Sequence, residues 1–226
     1  MGILGGLGPL ASLEFLRTIY ECNMSGPCEQ DYPDIILHSI SSVPDRTHLL
    51  LNNEDKALEE FLIENLSALN SLQVSKIVIC CFTSHTLIGR LPEDITEKIL
   101  SLVDLTAREL MARKERSLLL ASLGSYRRDV FLSTQDAVRA HEYIVEPDEE
   151  DKIFIHGLIY GLKLGKDVAP VYAAVRGLLA KYGLTSFIAG CTEFHMLSRH
   201  IHTNIISDVS FVDPLFRIAR QLGDIL

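Results

Sequence analysis

Cys81 and Cys191 are the residues of this chain best suited to chemistry. Each begins a polar segment that follows an apolar β-type run: Cys81-Phe82-Thr83-Ser84-His85 in one case, Gly190-Cys191-Thr192-Glu193 in the other. A thiol acts as a base or nucleophile through its thiolate, a form favoured by the unpaired N–H groups at the start of a helix. Two thiols facing one carbon from opposite sides can serve as base and acid in a single proton exchange. About 110 residues separate the pair, so each must be positioned by its own structural unit.

The upstream runs, Ile77-Val78-Ile79-Cys80 and Ser186-Phe187-Ile188-Ala189, are short, uncharged and rich in β-branched or aromatic side chains. Such runs form strands buried on both faces of a parallel sheet. Ligands of these sheets bind beyond the carboxyl ends of the strands, where both cysteines emerge. Cys80 alternates with Cys81 and is expected to pack on the opposite face as a small hydrophobe. Cys22 and Cys28 flank a Gly-Pro loop and read as bystanders. Five cysteines without a dense framework fit free thiols in a reducing cytoplasm.

Strand and helix patterns alternate from the first residue. Strands are expected at residues 1–4, 34–40, 75–81 and 99–103, with helices at 9–20, 54–70 and from Asp104 as N-cap to about Arg113. The pattern then restarts, with a strand at 117–123, a helix at 128–139 and a short strand at 143–145. Helices at 147–164 and 169–182 follow, the second closed by Gly183. A strand ending at Ala189, a helical turn from Thr192, a strand near 205–207 and a helix at 213–222 complete the chain. This alternation is that of an α/β protein with parallel sheets and right-handed crossovers. Two units of similar size, each with a cysteine turn, imply a pseudo-symmetric pair with the site in the cleft between them. The expected division is 1–103 plus 208–226 against 104–207, the last strand and helix returning to the first unit.

Gly6-Leu7-Gly8-Pro9-Leu10-Ala11 formally matches a dinucleotide fingerprint, yet no acidic residue ends the second strand, which runs Ile36-Leu37-His38-Ser39-Ile40. The glycines, Gly8 among them, are better read as letting backbone approach a ligand, with helix amides available to a carboxylate. The net charge of −9 argues against a nucleic-acid or anionic-membrane surface. No apolar stretch reaches the roughly 20 residues of a membrane span, and Ile3-Leu4 runs directly into glycines. A cytoplasmic protein without a signal peptide is expected.

Taken together, several segments resemble the aspartate/glutamate racemase superfamily, and its aspartate racemase branch in particular. They are Gly2-Ile3-Leu4-Gly5-Gly6-Leu7-Gly8-Pro9, Pro44-Asp45-Arg46-Thr47, Cys81-x-Thr83-x-His85, Ile159-Tyr160-Gly161-Leu162-Lys163-Leu164-Gly165 and Gly190-Cys191-Thr192-Glu193. The resemblance implies two Rossmann-like domains, a homodimer, and cofactor-independent racemisation of an amino acid without a metal. It makes Cys81 and Cys191 the two bases, and Arg46 and Lys163 the cations that hold substrate carboxylates. Thr83, Thr192 and the amides after each cysteine are the donors for the charge that develops on the α-carboxylate. His85 and Glu193 stand behind the thiols, to orient donors or tune acidity, or as structural hydrogen-bonding groups. Phe82 departs from the family's asparagine and replaces an amide with a ring that has no donor. Ser84 or a backbone amide is then expected to take over, or the preferred substrate to differ. Other readings are a dicarboxylate cis–trans isomerase working through a thioether, a racemase of the same superfamily with broader amino-acid specificity, and a catalytically silent dicarboxylate-binding protein.

Overall fold

The computed structural model describes every residue except Ser25 and Leu226. Its first unit opens with β1 (Gly2–Gly5) and α1 (Pro9–Cys22), whose first turn is fixed by Pro9. It continues through β2 (Ile36–Ser39), α2 (Arg46–Leu51), α3 (Asp55–Ser71), β3 (Ile77–Ile79) and α4 (Glu93–Thr96), after which α5 (Leu102–Arg113) leads into the second unit. The three strands form a parallel sheet in the order β2-β1-β3. The second unit holds β4 (Ser117–Leu120), α6 (Leu123–Arg127), α7 (Gln135–Ala140), β5 (Ile144–Val145), α8 (Glu149–Lys163) and α9 (Val168–Tyr182). It ends with β6 (Ser186–Ala189), α10 (Phe194–Thr203), β7 (Ser210–Val212), α11 (Pro214–Arg220) and α12 (Leu222–Ile225). Its sheet is also parallel, ordered β5-β4-β6-β7. The expected α/β architecture of two helix-flanked parallel sheets is what the chain adopts.

Five local expectations are corrected. Residues 99–103 do not form a strand: Ile99 makes a single bridge to Ile77, and Ser101 then caps α5 by accepting from the Asp104 N–H. Asp104 therefore donates to the cap and is not the cap itself. The helix expected at 128–139 is broken, because Asp129 adopts a left-handed backbone (φ 47°) and Thr134 starts α7 as a new N-cap. The final strand lies at Ser210–Val212, since α10 runs on to Thr203 and left-handed Ile205 ends it. That strand pairs with β6, so it joins the second sheet; only the helix after it, α11, packs back on α1.

One apolar cluster joins the units. It gathers Ile3, Phe15 and Val78 from the first with Leu119, Phe131 and Ile188 from the second, and it includes Leu215 and Ile218 of α11. The outer sheet faces have their own cores, around Leu58, Leu62 and Leu66 of α3 in one unit and Ile155, Ile159 and Val175 of α8 and α9 in the other. Cys80 belongs to the shared cluster and Cys81 to the first unit's outer core, the alternation expected of adjacent strand residues. Gly6 has a left-handed backbone (φ 85°), and a Cβ there would lie 2.3 Å from the Ile40 backbone, so the β1–α1 turn requires glycine.

Candidate active site

The two cysteine turns meet. Thr192, next to Cys191, donates its hydroxyl to the carbonyl of Cys80 at 3.2 Å, stitching the end of β6 to the end of β3. Both thiols are nearly enclosed, Cys81 and Cys191 each being 8% exposed. Their partners are opposite in charge. The Arg46 guanidinium lies against Cys81, and the Cys191 thiol donates to Glu193 Oε2 at 2.9 Å. Burial, then the Glu193 carboxylate, push the Cys191 thiol well above its ordinary range, with the Cys81 charge adding a smaller push. Lys163 works the other way.

Arg46 is the first residue of α2, behind the N-cap Asp45. It donates to the carbonyls of Leu7 and, at 3.3 Å, Pro44, which fixes the fork between the glycine turn and its own loop. Burial opposes its charge, but Cys81, Asp45 and Glu193 more than offset this and hold the guanidinium protonated. Lys163 is less free than the sequence reading has it. Its ammonium sits 3.5 Å from Asp45 Oδ2 and 4.5 Å above the Tyr160 ring, while the Tyr160 hydroxyl donates to the same oxygen at 2.7 Å. Burial works to raise the Asp45 carboxyl, yet the Tyr160 hydroxyl, the His48 N–H, Lys163 and Arg46 bring it down to about 2. Asp45 thus latches the first unit to α8 of the second.

The hydroxyls differ in availability. Thr83 forms a closed triangle with Ser122 (3.1 Å) and Ser125 (3.0 Å), themselves 3.1 Å apart, and so joins the first cysteine turn to the start of α6. The Ser84 hydroxyl is fully buried and has no partner. Gly8 backs onto Glu193: a Cβ there would fall 2.3 Å from Oε1, an oxygen that is also without a partner.

His85 has a structural task. Its Nε2 accepts from the Leu102 N–H at 3.1 Å, so Nδ1 carries the proton and donates to the Cys81 carbonyl at 2.9 Å. Burial pushes its pKa down to about 4, keeping the ring neutral, with the Cys81 carbonyl the leading opposing influence. The Phe82 ring packs in the shared core, 5.2 Å from Phe131 between centroids. Sequence reasoning missed Asp45, Ser122, Ser125 and His195. His195 follows Cys191 by the same four residues that separate His85 from Cys81, a spacing that could have pointed to it. It is fully buried, with Nδ1 2.7 Å from Asp213 Oδ2 and Nε2 2.8 Å from the Thr18 hydroxyl, and it pins α10 to α1 and to the cap of α11. Among the described residues no cluster of His, Cys, Asp and Glu is placed to hold a metal ion, and no helix is long and apolar enough to cross a membrane.

A model of the Asp/Glu/Hydantoin racemase family matches residues 4–222. The chain belongs to that family. Its fold is similar to that of an aspartate racemase from Picrophilus torridus, at 19% identity over 99% of this chain and 92% of that one, with a TM-score of 0.78. An aspartate racemase homologue from Pyrococcus horikoshii is similar at 20% identity, 99% and 96% coverage and a TM-score of 0.67. A glutamate racemase from Campylobacter jejuni shares the fold at 15% identity, 99% and 84% coverage and a TM-score of 0.63.

Proposed function

We propose that this protein interconverts L- and D-aspartate by proton transfer between Cys81, Cys191 and the substrate α-carbon, without a cofactor. The observation that carries the reading is the pair of enclosed thiols at the ends of β3 and β6, one against Arg46 and the other bonded to Glu193. Family membership and aspartate racemases among proteins of similar fold support it.

In the free enzyme Cys191 keeps its proton, because burial and the adjacent carboxylate disfavour its thiolate. Cys81, beside a guanidinium, is the base for the first transfer: its sulfur takes the α-proton while Cys191 delivers a proton to the opposite face. The reverse reaction exchanges the two roles. Charge that builds on the α-carboxylate is met by Arg46, whose Nε–H has no partner in the protein. Lys163 takes the side-chain carboxylate by exchanging it for Asp45. Ser84 supplies the hydrogen bond that Phe82 does not. The protein acts as a cytoplasmic homodimer in this reading.

Exchange of the α-proton in D2O, followed by NMR over a panel of L- and D-amino acids, tests the proposal. Cys81→Ser and Cys191→Ser are each expected to lower aspartate turnover by about 10²–10⁴-fold with the fold intact. Wild-type turnover in either variant overturns the two-thiol mechanism, and faster exchange of another amino acid overturns the substrate.

A further inference from the structure

Three buried side-chain nitrogen or oxygen atoms among the described residues find no hydrogen-bond partner: Arg46 Nε, Ser84 Oγ and Glu193 Oε1. Arg46 and Glu193 each lie beside one of the thiols, and Ser84 follows Cys81 by three residues. Proteins rarely leave such atoms orphaned, and an unmatched set at one place marks where a ligand supplies the missing groups. The set is specific in kind. Arg46 Nε offers a donor, Ser84 offers a hydroxyl, and Glu193 Oε1 is an acceptor on a carboxylate only 1% exposed. A substrate carboxylate satisfies the first two and repels the third.

The neighbours of Glu193 narrow the choice. Its other oxygen, Oε2, already accepts the Cys191 thiol at 2.9 Å. Gly8 packs directly on Oε1, where a Cβ would fall 2.3 Å from it, so only glycine leaves that oxygen uncrowded. The turn Gly5-Gly6-Leu7-Gly8 carries no charge of its own, and Arg46, whose guanidinium the Glu193 charge helps to hold protonated, donates to the Leu7 and Pro44 carbonyls and not to Oε1. A buried acceptor of this sort calls for a small cationic donor one or two bonds from the carbon that Cys191 serves.

We propose that Glu193 Oε1 is the seat of the substrate's α-ammonium, and that Glu193 is the residue by which the site selects α-amino acids over hydroxy or unsubstituted dicarboxylates of the same length. The assignment rests on the two-thiol reading in placing the α-carbon next to Cys191. It pairs each end of a zwitterion with its opposite, the α-carboxylate on Arg46 and the ammonium on Glu193. It also gives the ammonium a second effect. The Glu193 charge is one of the causes that hold the Cys191 proton in place, so its neutralisation by a bound ammonium eases that proton off.

Calorimetric titration of L-aspartate, L-malate and succinate into the wild-type protein and into Glu193→Gln provides the test. The wild type is expected to bind aspartate at least about tenfold more tightly than succinate, and the variant to lose that preference while holding succinate as well as before or better. Gly8→Ala, which keeps the carboxylate but crowds its free oxygen, is expected to weaken aspartate and spare succinate; it carries the test if Glu193→Gln does not fold. An unchanged aspartate-to-succinate ratio, equal weakening of all three ligands, or no binding of any by the wild type overturns the seat. The α-deuterium assay separates this result from the reading it rests on. Exchange with an unchanged ratio removes the ammonium seat alone; a lost preference in a protein that exchanges no α-proton leaves the seat and removes the two-thiol mechanism.

Discussion

His85 makes the protein lose stability in mild acid, by an amount the structure allows to be worked out. The ring is buried, donates from Nδ1 to the Cys81 carbonyl and accepts at Nε2 from the Leu102 N–H, and its pKa is pushed down to about 4 from an ordinary 6.5. Protonation in the folded state would place an N–H against an N–H. The unfolded chain therefore takes up the proton first, and stability falls as pH drops from about 6.5 to about 4, then levels as the folded form protonates too. Above 6.5 this effect is absent. With each pKa unit worth about 1.4 kcal/mol, the loss across the window is about 3 kcal/mol. Burial also lowers His156, with help from Lys163, so a smaller slope from that ring remains in any variant of His85. Glutamine at position 85 presents a fixed donor and acceptor and does not titrate. Urea unfolding of the wild type and His85→Gln between pH 7.5 and 4.0, followed by circular dichroism, is expected to show a markedly flatter dependence in the variant. Parallel curves would refute the assignment of the acid-sensitive proton to this ring.

Three further outcomes follow from contacts that join the units. Asp45→Asn keeps the cap on α2 but releases Lys163, whose partly exposed pair contributes about 1 kcal/mol or less, so alkylation of Cys81 and Cys191 is expected to quicken by up to about fivefold. Peptide mass spectrometry reads the rate at each cysteine, and unchanged protection would show that Asp45 does not close the cleft. In the wild type the latch should hold down to about pH 4 and fail as pH falls through about 2, since the Asp45 carboxyl is depressed in the folded state. Thr192→Val keeps the shape at its site but removes the hydrogen bond to the Cys80 carbonyl, with an expected loss of about 1–2 kcal/mol in urea unfolding. No loss would mean that the contact is immaterial to joining the two units.

The sequence made the sheets legible because each buried strand is an uncharged apolar run, and every helix of fourteen or more residues carries its apolar stripe. It misled where a single backbone angle or cap decides the outcome. Asp129 breaks a plausible helix by adopting a left-handed conformation, and Ser101 takes the capping role that Asp104 seemed suited to. Propensity ranks residues; it does not say which of two good cappers wins. At the site, Cys81, Cys191, Arg46, Thr192 and Glu193 converge, whereas Lys163 is held by Asp45, Thr83 is occupied by Ser122 and Ser125, and Phe82 has turned into the core. These contacts cross between the units, and nothing local in the chain announces a partner 39 or 118 residues away.

Comparison of the two cysteine turns shows how a pseudo-symmetric frame can hold an asymmetric site. Each begins at the end of a central or edge strand, each places a histidine four residues after its cysteine, and each uses a threonine to reach the other unit. The histidines have been turned to structural ends: His85 ties the first turn to α5, and His195 ties the second to α1 and α11. Neither is left with a free nitrogen for the thiol. What differentiates the thiols is brought by other residues, Arg46 on α2 and Glu193 within the second turn. A reaction that inverts one stereocentre needs a base on one face and an acid on the other at the same moment, and two equivalent thiols would have to divide one proton between them by chance. Charges of opposite sign beside otherwise similar turns make that division in advance. In the proposed racemisation the frame supplies two faces, and the unlike neighbours decide which face gives the proton first.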